Sequence, residues 1–451
     1  MTRVLAVVPH FPTADESADG QANYLTQLVP VMAEMLDGPL EIIALRFGTQ
    51  APEERGTNWR VHRVSPPEPL DDVFALYLPQ HLRPALDTLT AHAVQAARRE
   101  TEQVPVWCHG YETGAVVAAL RKAGHHVVAV PHYSVGVETL HDLALGDDPT
   151  RARAFDSPWA TRLGRTWPAP ARAMGVRWAS RVGRWGQQLP LPAAIRTQFA
   201  KLDLERQLIA HASRIVAVGP SFEAELNALY PCSEHRTESV IAGPPRRVEA
   251  RAWPWSEEPD RVRMLMVGRP TGQKGWDYAA EALSGLSRQA LERIDLVLIG
   301  GLGCGDGPYS AYSQRVAADF EAIQGIRLRN LGACSHTETL AHMVSADLLL
   351  FPSVFEPLGL VLIEGLTHGC CVLASNAAGP SDILQAPWGQ RVDFSVPQER
   401  VHRLRAGLQA FIELDRGEID RRKALASVAG QGLSWTSCAE VHLDALMSRG
   451  A

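Results

Sequence analysis

The sequence lacks the features of a disulfide-linked or membrane-spanning protein. Its seven cysteines are odd in number and scattered, with no Cys-x-x-Cys pair. That pattern indicates reduced thiols in a cytoplasmic protein, without a disulfide framework or a zinc site. No apolar run approaches the roughly 18 residues of a membrane-spanning helix. The run from Val4 to Val8 is too short for a signal peptide.

The sequence also lacks a strong charge imbalance and a dinucleotide fingerprint. The net charge of −6 over 451 residues favours neither nucleic acid nor a membrane as a partner. No Gly-x-Gly-x-x-Gly follows the first predicted strand, so a nicotinamide-dependent dehydrogenase is a poor fit. A chain of this length is sufficient for two or three domains.

What the sequence does contain is a well-marked stretch from Asp347 to Leu384. A short apolar run, Leu348 to Phe351, predicts a buried strand of a parallel sheet. A turn follows, then a helical pattern from Leu360 to His368, with Gly369 placed as its C-cap. Cys371 to Ala374 predicts a second buried strand. Together these elements form a β-α-β unit.

Two carboxylates of this unit are candidate ligand-binding groups. Glu356 lies in the turn and Glu364 in the helix, at most roughly 12 Å apart along the helix axis. The helix is otherwise apolar, and a carboxylate there needs a partner. Amides of the segment Leu358-Gly359-Leu360 are placed to bind an anion such as a diphosphate, and glycine permits close approach. The spacing suits a sugar nucleotide.

The segment PSVFEPLGLVLIEGLTHGCCVLAS resembles the E-x7-E signature of retaining glycosyltransferases with the GT-B architecture, such as glycogen synthases and sucrose-phosphate synthases. The resemblance implies that Glu356 contacts the transferred sugar and that Glu364 accepts both ribose hydroxyls. GRPTGQKGWDYAAEAL resembles the same family's GR-x(4)-KG motif. It implies that Gly268 approaches the donor and that Arg269 and Lys274 bind its diphosphate.

Four further candidates for donor binding or catalysis depend on weaker resemblances. His336 follows a predicted strand at the place where relatives hold the base. ADGQANYLTQL resembles the GGQVxYV loop of the sucrose-phosphate synthase group, so Gly20 and Gln21 are predicted donor-binding residues. HGYETG resembles the HDWHAG-type segment of glycogen synthases, which makes His109 a predicted catalytic sugar contact at a strand end.

Three residues are candidates for acceptor binding. Asn23 lies in the first turn of the predicted first helix, where an exposed position without a ligand is the alternative. His132 and Tyr133 follow the predicted strand Val127 to Val130. Relatives carry His-Ser-Leu-Gly here, and Tyr133 takes the place of that histidine. The acceptor pocket is therefore expected to differ from theirs.

An Arg/Trp segment, residues 151–201, contains ten basic residues, four tryptophans and a single acid. Such a segment can line a site for an anionic acceptor, lie on a membrane surface, or form a solvated insertion. Its prolines and glycines interrupt a long amphipathic helix. We therefore expect the segment to fold over the acceptor side and to attract an anionic or carboxylate-bearing acceptor, not a bilayer.

The resemblance implies an α/β protein with two Rossmann-like domains facing a central cleft and a C-terminal helix crossing back to the first domain. The predicted acceptor domain is 1–245, with 151–201 as an insertion. The predicted linker is 246–260, the nucleotide-sugar domain is 261–425, and the returning C-terminal segment is 426–451.

The predicted function is retaining transfer of a sugar from UDP or GDP to a small polar acceptor. Natural-product pathways such as antibiotic biosynthesis, with aminoglycoside-like or thiol acceptors, are the expected setting. We predict neither a metal nor another cofactor, because no D-x-D pair lies at a strand end. A sugar-nucleotide epimerase and a non-catalytic binding protein are the alternatives. The sugar, the base, the acceptor and the oligomeric state stay open.

Overall fold

The computed structural model describes most of the chain, namely residues 3–13, 20–73, 75–98, 103–145, 169–186, 188, 190, 193–231, 236–255, 258, 260–303 and 310–448. These residues divide into two compact units. The first is drawn from Met1–Leu140, Thr166–Ala242 and Trp435–Ala451, and the second from His141–Arg165 and Gly243–Ser434.

The first unit is a parallel sheet with helices. Its strands are β1 (Val4–Val7), β2 (Leu40–Leu45), β3 (Glu53–Gly56), β4 (Trp59–Val64), β5 (Val106–His109), β6 (Val127–Val130), β7 (Arg214–Ala217) and β8 (Arg236–Ser239). They lie in the order β3-β4-β2-β1-β5-β6-β7-β8, and the β3–β4 pair alone is antiparallel. The described helices up to residue 242 are α1 (Gly20–Met35), α2 (Leu82–Arg98), α3 (Gly114–Lys122), α4 (Val135–Leu145), α5 (Ala169–Arg181), α6 (Gly183–Gly186), α7 (Ala193–His211) and α8 (Pro220–Leu229).

The second unit has a fully parallel sheet. Its strands are β9 (Val262–Val267), β10 (Ile294–Ile299), β11 (Arg327–Asn330), β12 (Leu348–Phe351), β13 (Cys371–Ser375) and β14 (Gly389–Val392), in the order β11-β10-β9-β12-β13-β14. Its described helices are α9 (Trp276–Ser284), α10 (Arg288–Leu291), α11 (Ser310–Glu321), α12 (His336–Ser345), α13 (Leu360–Thr367), α14 (Ala378–Ile383), α15 (Arg400–Ile412) and α16 (Arg416–Gln431). The last helix, α17 (Trp435–Met447), belongs to the first unit.

The predicted α/β class with two parallel sheets is confirmed. The central β12-α13-β13 unit forms as predicted, with Leu348 paired to Cys371 and Phe351 to Ala374. Gly369 has a φ of +83°, the left-handed conformation that ends a helix. In each unit the strand order reverses at one strand, at β1 in the first and at β9 in the second. Ligands of such sheets bind at the carboxyl ends of the strands beside that point.

A buried ion cluster fastens α16 to the second sheet. The carboxylate of Asp347 is fully buried and bonds Arg263 at 3.0 Å, Arg416 at 2.9 Å and Lys423 at 3.0 Å. Burial alone would raise the pKa of Asp347, but Lys423 and Arg263 outweigh it and lower that pKa to about 2. The charged cluster therefore holds β9, β12 and α16 together.

A buried neutral hydrogen-bond chain fastens α17 to the first sheet. Trp107 Nε1 donates to His442 Nδ1 at 3.3 Å, and His442 Nε2 lies 2.8 Å from Tyr24 Oη. Because an indole N–H can only donate, His442 Nδ1 accepts and the ring proton of the neutral imidazole is on Nε2. Tyr24 Oη also lies 3.0 Å from Cys438 Sγ. These contacts connect α17 to α1 and β5.

The segment 246–260, predicted as a linker, makes specific contacts within the second unit. The Arg251 guanidinium pairs with Glu338 at 2.7 Å, and its backbone N–H donates to the carbonyl of Ala341 at 3.0 Å. Trp253 is buried. These contacts tie the segment to α12.

Within the described part of the chain, none of the helices combines the length and apolar character that crossing a bilayer requires. The basic stretch 151–168 of the Arg/Trp segment lies outside the described residues.

Candidate functional site

The loops after β9 and β10 approach each other closely in the second unit. Gly268, the first residue after β9, has a φ of +149°. A Cβ on Gly300 would lie 1.8 Å from the carbonyl oxygen of Gly268. Both positions therefore favour glycine, and the two loops pack backbone against backbone at the carboxyl ends of β9 and β10.

Lys274 and Glu356, predicted from separate motifs, form an ion pair. Lys274 Nζ lies 2.6 Å from Glu356 Oε2, and Glu356 is buried. Lys274 also lies 5.5 Å from the ring centroid of Phe351. Gly275 permits this approach, because a Cβ there would lie 2.0 Å from the carbonyl oxygen of Pro352. These contacts hold the loop after β9 against the end of β12.

Arg269 lies on the exposed side of the same loop. Its carbonyl accepts hydrogen bonds from the Thr271 amide at 2.8 Å and from Trp276 Nε1 at 2.9 Å. These bonds fix the backbone between β9 and α9. Arg269 is thus an exposed residue of the loop that also carries Lys274.

The amino end of α13 follows Glu356 directly. Gly359 is the N-cap, with a φ of +82°, and its built Cβ would lie 2.9 Å from Leu362 Cδ1 and 3.3 Å from Glu356 Cγ. Glycine is therefore required here. The first amides of a helix have no intrahelical acceptor and attract anions. The predicted diphosphate segment, Leu358 to Leu360, provides such amides beside the Lys274–Glu356 pair.

Glu364 is buried, as predicted, and it has a partner. Its Oε1 lies 2.8 Å from Nε2 of His336, the first residue of α12. The hydrogen bond to Glu364 raises the pKa of His336, against the opposing effect of burial. A capping box between Ser335 and Glu338 fixes the start of α12. Glu364, predicted to bind the ribose, and His336, predicted to contact the base, are therefore hydrogen-bonded to each other.

In the first unit, the start of α1 lies beside the end of β5. A Cβ on Gly20 would meet nothing within 4 Å, so this position is open. Both amide atoms of Gln21 lie 3.0 Å from the position that a Cβ of Gly110 would take. The carbonyl of Asn23 accepts a bond from Thr26 Oγ1 at 3.0 Å. Gly20 and Gln21, predicted as donor contacts, thus lie in the first unit.

The fully buried His109 and the half-buried His132 share a hydrogen bond. His109 Nδ1 lies 2.7 Å from His132 Nε2, and the rings are stacked with centroids 5.0 Å apart. Burial lowers the pKa of His109 well below its ordinary value and that of His132 to about 3, so both are neutral. Tyr133 lies against Tyr111, with ring centroids 6.4 Å apart.

The structure thus gathers the predicted residues into two sets. Lys274, Glu356, His336 and Glu364 are joined in two hydrogen-bonded pairs in the second unit. In the first unit, Gln21 is at the start of α1, His109 ends β5 and His132 follows β6. Sequence reasoning missed both pairings, since nothing in either motif fixes which side chains touch.

A model of the family described as family 4 glycosyltransferase in conflict systems matches residues 182–440, more than half of the chain. The chain belongs to this family. It is similar to the glycogen synthase of Rhizobium tropici, with 28% identity over 218 residues. That match spans 43% of this chain and 40% of the synthase.

Two solved structures show the fold that this family 4 glycosyltransferase adopts. The sucrose-phosphate synthase of Thermosynechococcus elongatus matches with a TM-score of 0.70 and 18% identity over 98% of both chains. The E. coli trehalose-6-phosphate structure bound with UDP-2-fluoro glucose matches with a TM-score of 0.62 and 15% identity, covering both chains completely. The predicted GT-B architecture is confirmed.

Proposed function

We propose that this chain transfers a sugar, with retention of anomeric configuration, from a nucleoside diphosphate sugar to a small polar acceptor. The observation that carries the proposal is the Lys274–Glu356 pair, held at 2.6 Å beside the amino end of α13. A cation, the first amides of a helix and a buried carboxylate side by side suit a diphosphate joined to a sugar. The UDP-2-fluoro glucose named for the E. coli structure supports this donor class.

The cations and amides stabilise the leaving group in this proposal. As the bond between the sugar C1 and the diphosphate oxygen breaks, negative charge develops on that oxygen. In this proposal Lys274, Arg269 and the first amides of α13 stabilise this charge without a metal. The acceptor oxygen forms its bond to C1 on the same face. Its proton passes to the departing phosphate, as the family resemblance implies.

Glu356 and Glu364 hold the two ends of the donor. Glu356 accepts hydrogen bonds from sugar hydroxyls and faces the positive charge that develops at C1. Glu364 accepts hydrogen bonds from the ribose hydroxyls. The His336 ring, whose Nε2 lies 2.8 Å from Glu364 in this structure, either rotates to contact the base or keeps its hydrogen bond to the same carboxylate. For the acceptor we propose the class predicted from the sequence, namely a natural product, an aminoglycoside-like molecule or a thiol.

A thermal-shift screen of UDP, GDP and ADP tests the donor site. A nucleotide at 100 times its Kd adds about 2.7 kcal/mol of stability. We expect one of the three to stabilise the wild type and to lose most of its effect in Lys274→Ala. No stabilisation by any of them contradicts the proposal.

The matching sugar nucleotide is then incubated with the enzyme and with candidate acceptors, with and without EDTA. We expect nucleoside diphosphate release that survives EDTA. Isomerisation of the sugar nucleotide without an acceptor would indicate an epimerase. Binding without any reaction would indicate a non-catalytic protein.

A further inference from the structure

Large apolar side chains are exposed along α5 and α6 of the first unit. Met174, Trp178 and Trp185 have 65%, 59% and 57% of their surface exposed. Among the tryptophans that the structure describes, these two have the exposed side chains. The proposed function uses none of the three residues. A contiguous exposed apolar patch on a folded protein marks a surface that contacts another molecule.

The three apolar side chains lie on one face of the helices together with Arg181. The four positions are i, i+4, i+7 and i+11, the spacing that places residues on one side of an α-helix. The amide of Val182 donates to the carbonyl of Trp178 at 3.0 Å, and the amide of Gly186 donates to the carbonyl of Val182 at 2.7 Å. Helical hydrogen bonding thus continues from α5 into α6. The four side chains form a row roughly 16 Å long, which we call the tryptophan row.

The opposite face of α5 and α6 packs tightly in the first unit. A Cβ on Gly183 would lie 2.6 Å from the carbonyl oxygen of Phe199 in α7, and a Cβ on Gly186 would lie 2.7 Å from Phe199 Cγ. Val176 and Ala179 of α5 are buried as well. This packing fixes the orientation of the two helices, so the tryptophan row lies on their outer side.

The prolines and glycines of the Arg/Trp segment do not break up residues 169–186. Pro170 is the second residue of α5, within the first turn, where a helix tolerates proline. Gly175 lies inside α5, and the glycines of α6 serve its close packing on α7. The reason for favouring an anionic acceptor over a bilayer therefore does not hold for this part of the segment.

The charge of the surrounding sequence favours an anionic partner. Residues 157–202 contain eight Arg or Lys and no Asp or Glu, in a chain whose net charge is −6. Arg181 is exposed within the tryptophan row itself, between the two indoles. Basic residues are attracted to anionic lipids, and tryptophan is enriched at the boundary between headgroups and acyl chains. A straight row of large apolar side chains with a cation among them matches a flat anionic lipid surface.

We propose that the tryptophan row binds the surface of an anionic lipid bilayer. Met174 and the two indoles insert at the level of the headgroups, and Arg181 lies near the lipid phosphates. The helices α5 and α6 lie along the surface and do not cross the bilayer. This binding does not depend on which sugar, base or acceptor the chain uses.

Sedimentation of the full chain with lipid vesicles tests the proposal. Two compositions are compared, namely phosphatidylcholine alone and an equal mixture of phosphatidylcholine and phosphatidylglycerol. We expect the chain to sediment with the mixture and to bind phosphatidylcholine alone at least about tenfold more weakly, because the attraction of several basic residues is lost. Binding to the mixture should weaken as the ionic strength rises, because salt screens that attraction.

Substitutions in the tryptophan row should weaken binding to the mixed vesicles. Trp178→Ala combined with Trp185→Ala should bind about tenfold more weakly or worse, because two indole rings no longer leave water. Both side chains are exposed, so this double variant should fold. Arg181→Gln should bind about fivefold more weakly, the contribution of one basic residue near an anionic surface. The controls Val428→Ala and Arg288→Gln, at exposed positions of α16 and α10, should bind as the wild type does.

Absence of wild-type sedimentation with the mixed vesicles overturns the proposal, as does equal binding by the double variant and the wild type. A wild-type dimer that dissociates in the double variant, found by sedimentation equilibrium in place of vesicle binding, would assign the row to a second copy. Stronger binding of polyglutamate than of the mixed vesicles would assign it to an acidic protein. Either result overturns lipid binding. The double variant should keep the wild-type response in the nucleoside diphosphate screen, which reports on the second unit.

Discussion

The two units fasten a C-terminal helix to their sheets with different chemistry. In the second unit, three cations surround the buried carboxylate of Asp347 and tie α16 to β9 and β12. In the first, α17 is held through a neutral chain from Trp107 to His442 and Tyr24. The candidate sites repeat this difference. Charged pairs lie at the strand ends of the second unit, and neutral imidazoles lie at those of the first.

The difference teaches how each unit can act on a ligand. Ionised side chains stabilise charge that develops on a departing group. Neutral imidazoles and amides form hydrogen bonds with polar groups of a ligand at defined positions and add no net charge to the site. We therefore expect the two units to respond differently to charge removal and to acid.

The largest expected effect comes from breaking the ion cluster of the second unit. Asp347→Asn leaves three buried or half-buried cations without their carboxylate, and breaking a buried charge pair costs roughly 3–5 kcal/mol. Urea denaturation should show a loss of this size. Asp319→Asn, at an exposed position of α11, is the matched control. A loss below about 1 kcal/mol would show that the cluster does not hold the sheet.

Removing the cation of the donor site should affect catalysis with little effect on folding. Lys274→Ala should reduce turnover about 10²–10³-fold, the loss typical of one preorganised charge-stabilising group. Arg269→Ala should reduce turnover by a similar factor. Steady-state kinetics with the donor found in the nucleotide screen measures both, and the exposed Lys122→Ala serves as control. Near-normal turnover in both site variants would contradict the leaving-group assignment.

Glu364→Gln tests the ribose contact. It should weaken nucleotide binding by about 1.5–3 kcal/mol, the range for a hydrogen bond to a charged group. A 2′-deoxy nucleotide should lose a similar amount on the wild type, and the two losses should not add. Calorimetry on all four combinations measures this. Full additivity would indicate that Glu364 acts elsewhere.

Acid should loosen the first unit before the second. Burial lowers the pKa of His442 to about 3, so the unfolded chain takes up a proton near pH 6.5 that the folded chain does not. Stability is therefore complete above about pH 6.5 and falls toward pH 3, by about 1.4 kcal/mol per pH unit for each such histidine. The pKa of Asp347 is lowered from 3.8 to about 2, so its contribution is lost only within that lower range.

Hydrogen exchange at pH 7.5 and 5.5 resolves the two units. After correction for the intrinsic pH dependence of exchange, β5 should lose more protection at pH 5.5 than β12. Some loss is expected in β12 as well, because burial also lowers the pKa of His342 and His368 in the second unit. His442→Gln should reduce the loss in β5 by roughly 1.4 kcal/mol per pH unit. His92→Gln, on the exposed face of α2, should leave it unchanged. Equal loss in both units would contradict the comparison.

Much of the second unit was predictable because its signals are local. The apolar run at Leu348–Phe351 and the helix that begins at Leu360 form as their patterns predict. The motifs also identified Lys274 and Glu356. Their contact was not predictable, because 82 residues separate them in the sequence and only the sheet brings them together.

The first unit was less predictable for the same physical reason. Trp107 and His442 are 335 residues apart, so their hydrogen bond leaves no pattern in the sequence. The short edge strand β3, at Glu53–Gly56, has no apolar alternation and was missed. β5 begins at Val106, directly after a proline. Proline at 105 has no amide hydrogen to donate to a neighbouring strand.

The most direct test of the account is calorimetric titration of the preferred nucleoside diphosphate into the wild type, Lys274→Ala and Glu112→Gln. The diphosphate is proposed to bind at the charged loops of the second unit, so a substitution in the first unit should not change its affinity. Lys274→Ala should therefore bind at least tenfold more weakly, a loss of about 1.4 kcal/mol or more, while Glu112→Gln binds as the wild type does. Equal affinity for Lys274→Ala and the wild type, or a loss confined to Glu112→Gln, would contradict the account.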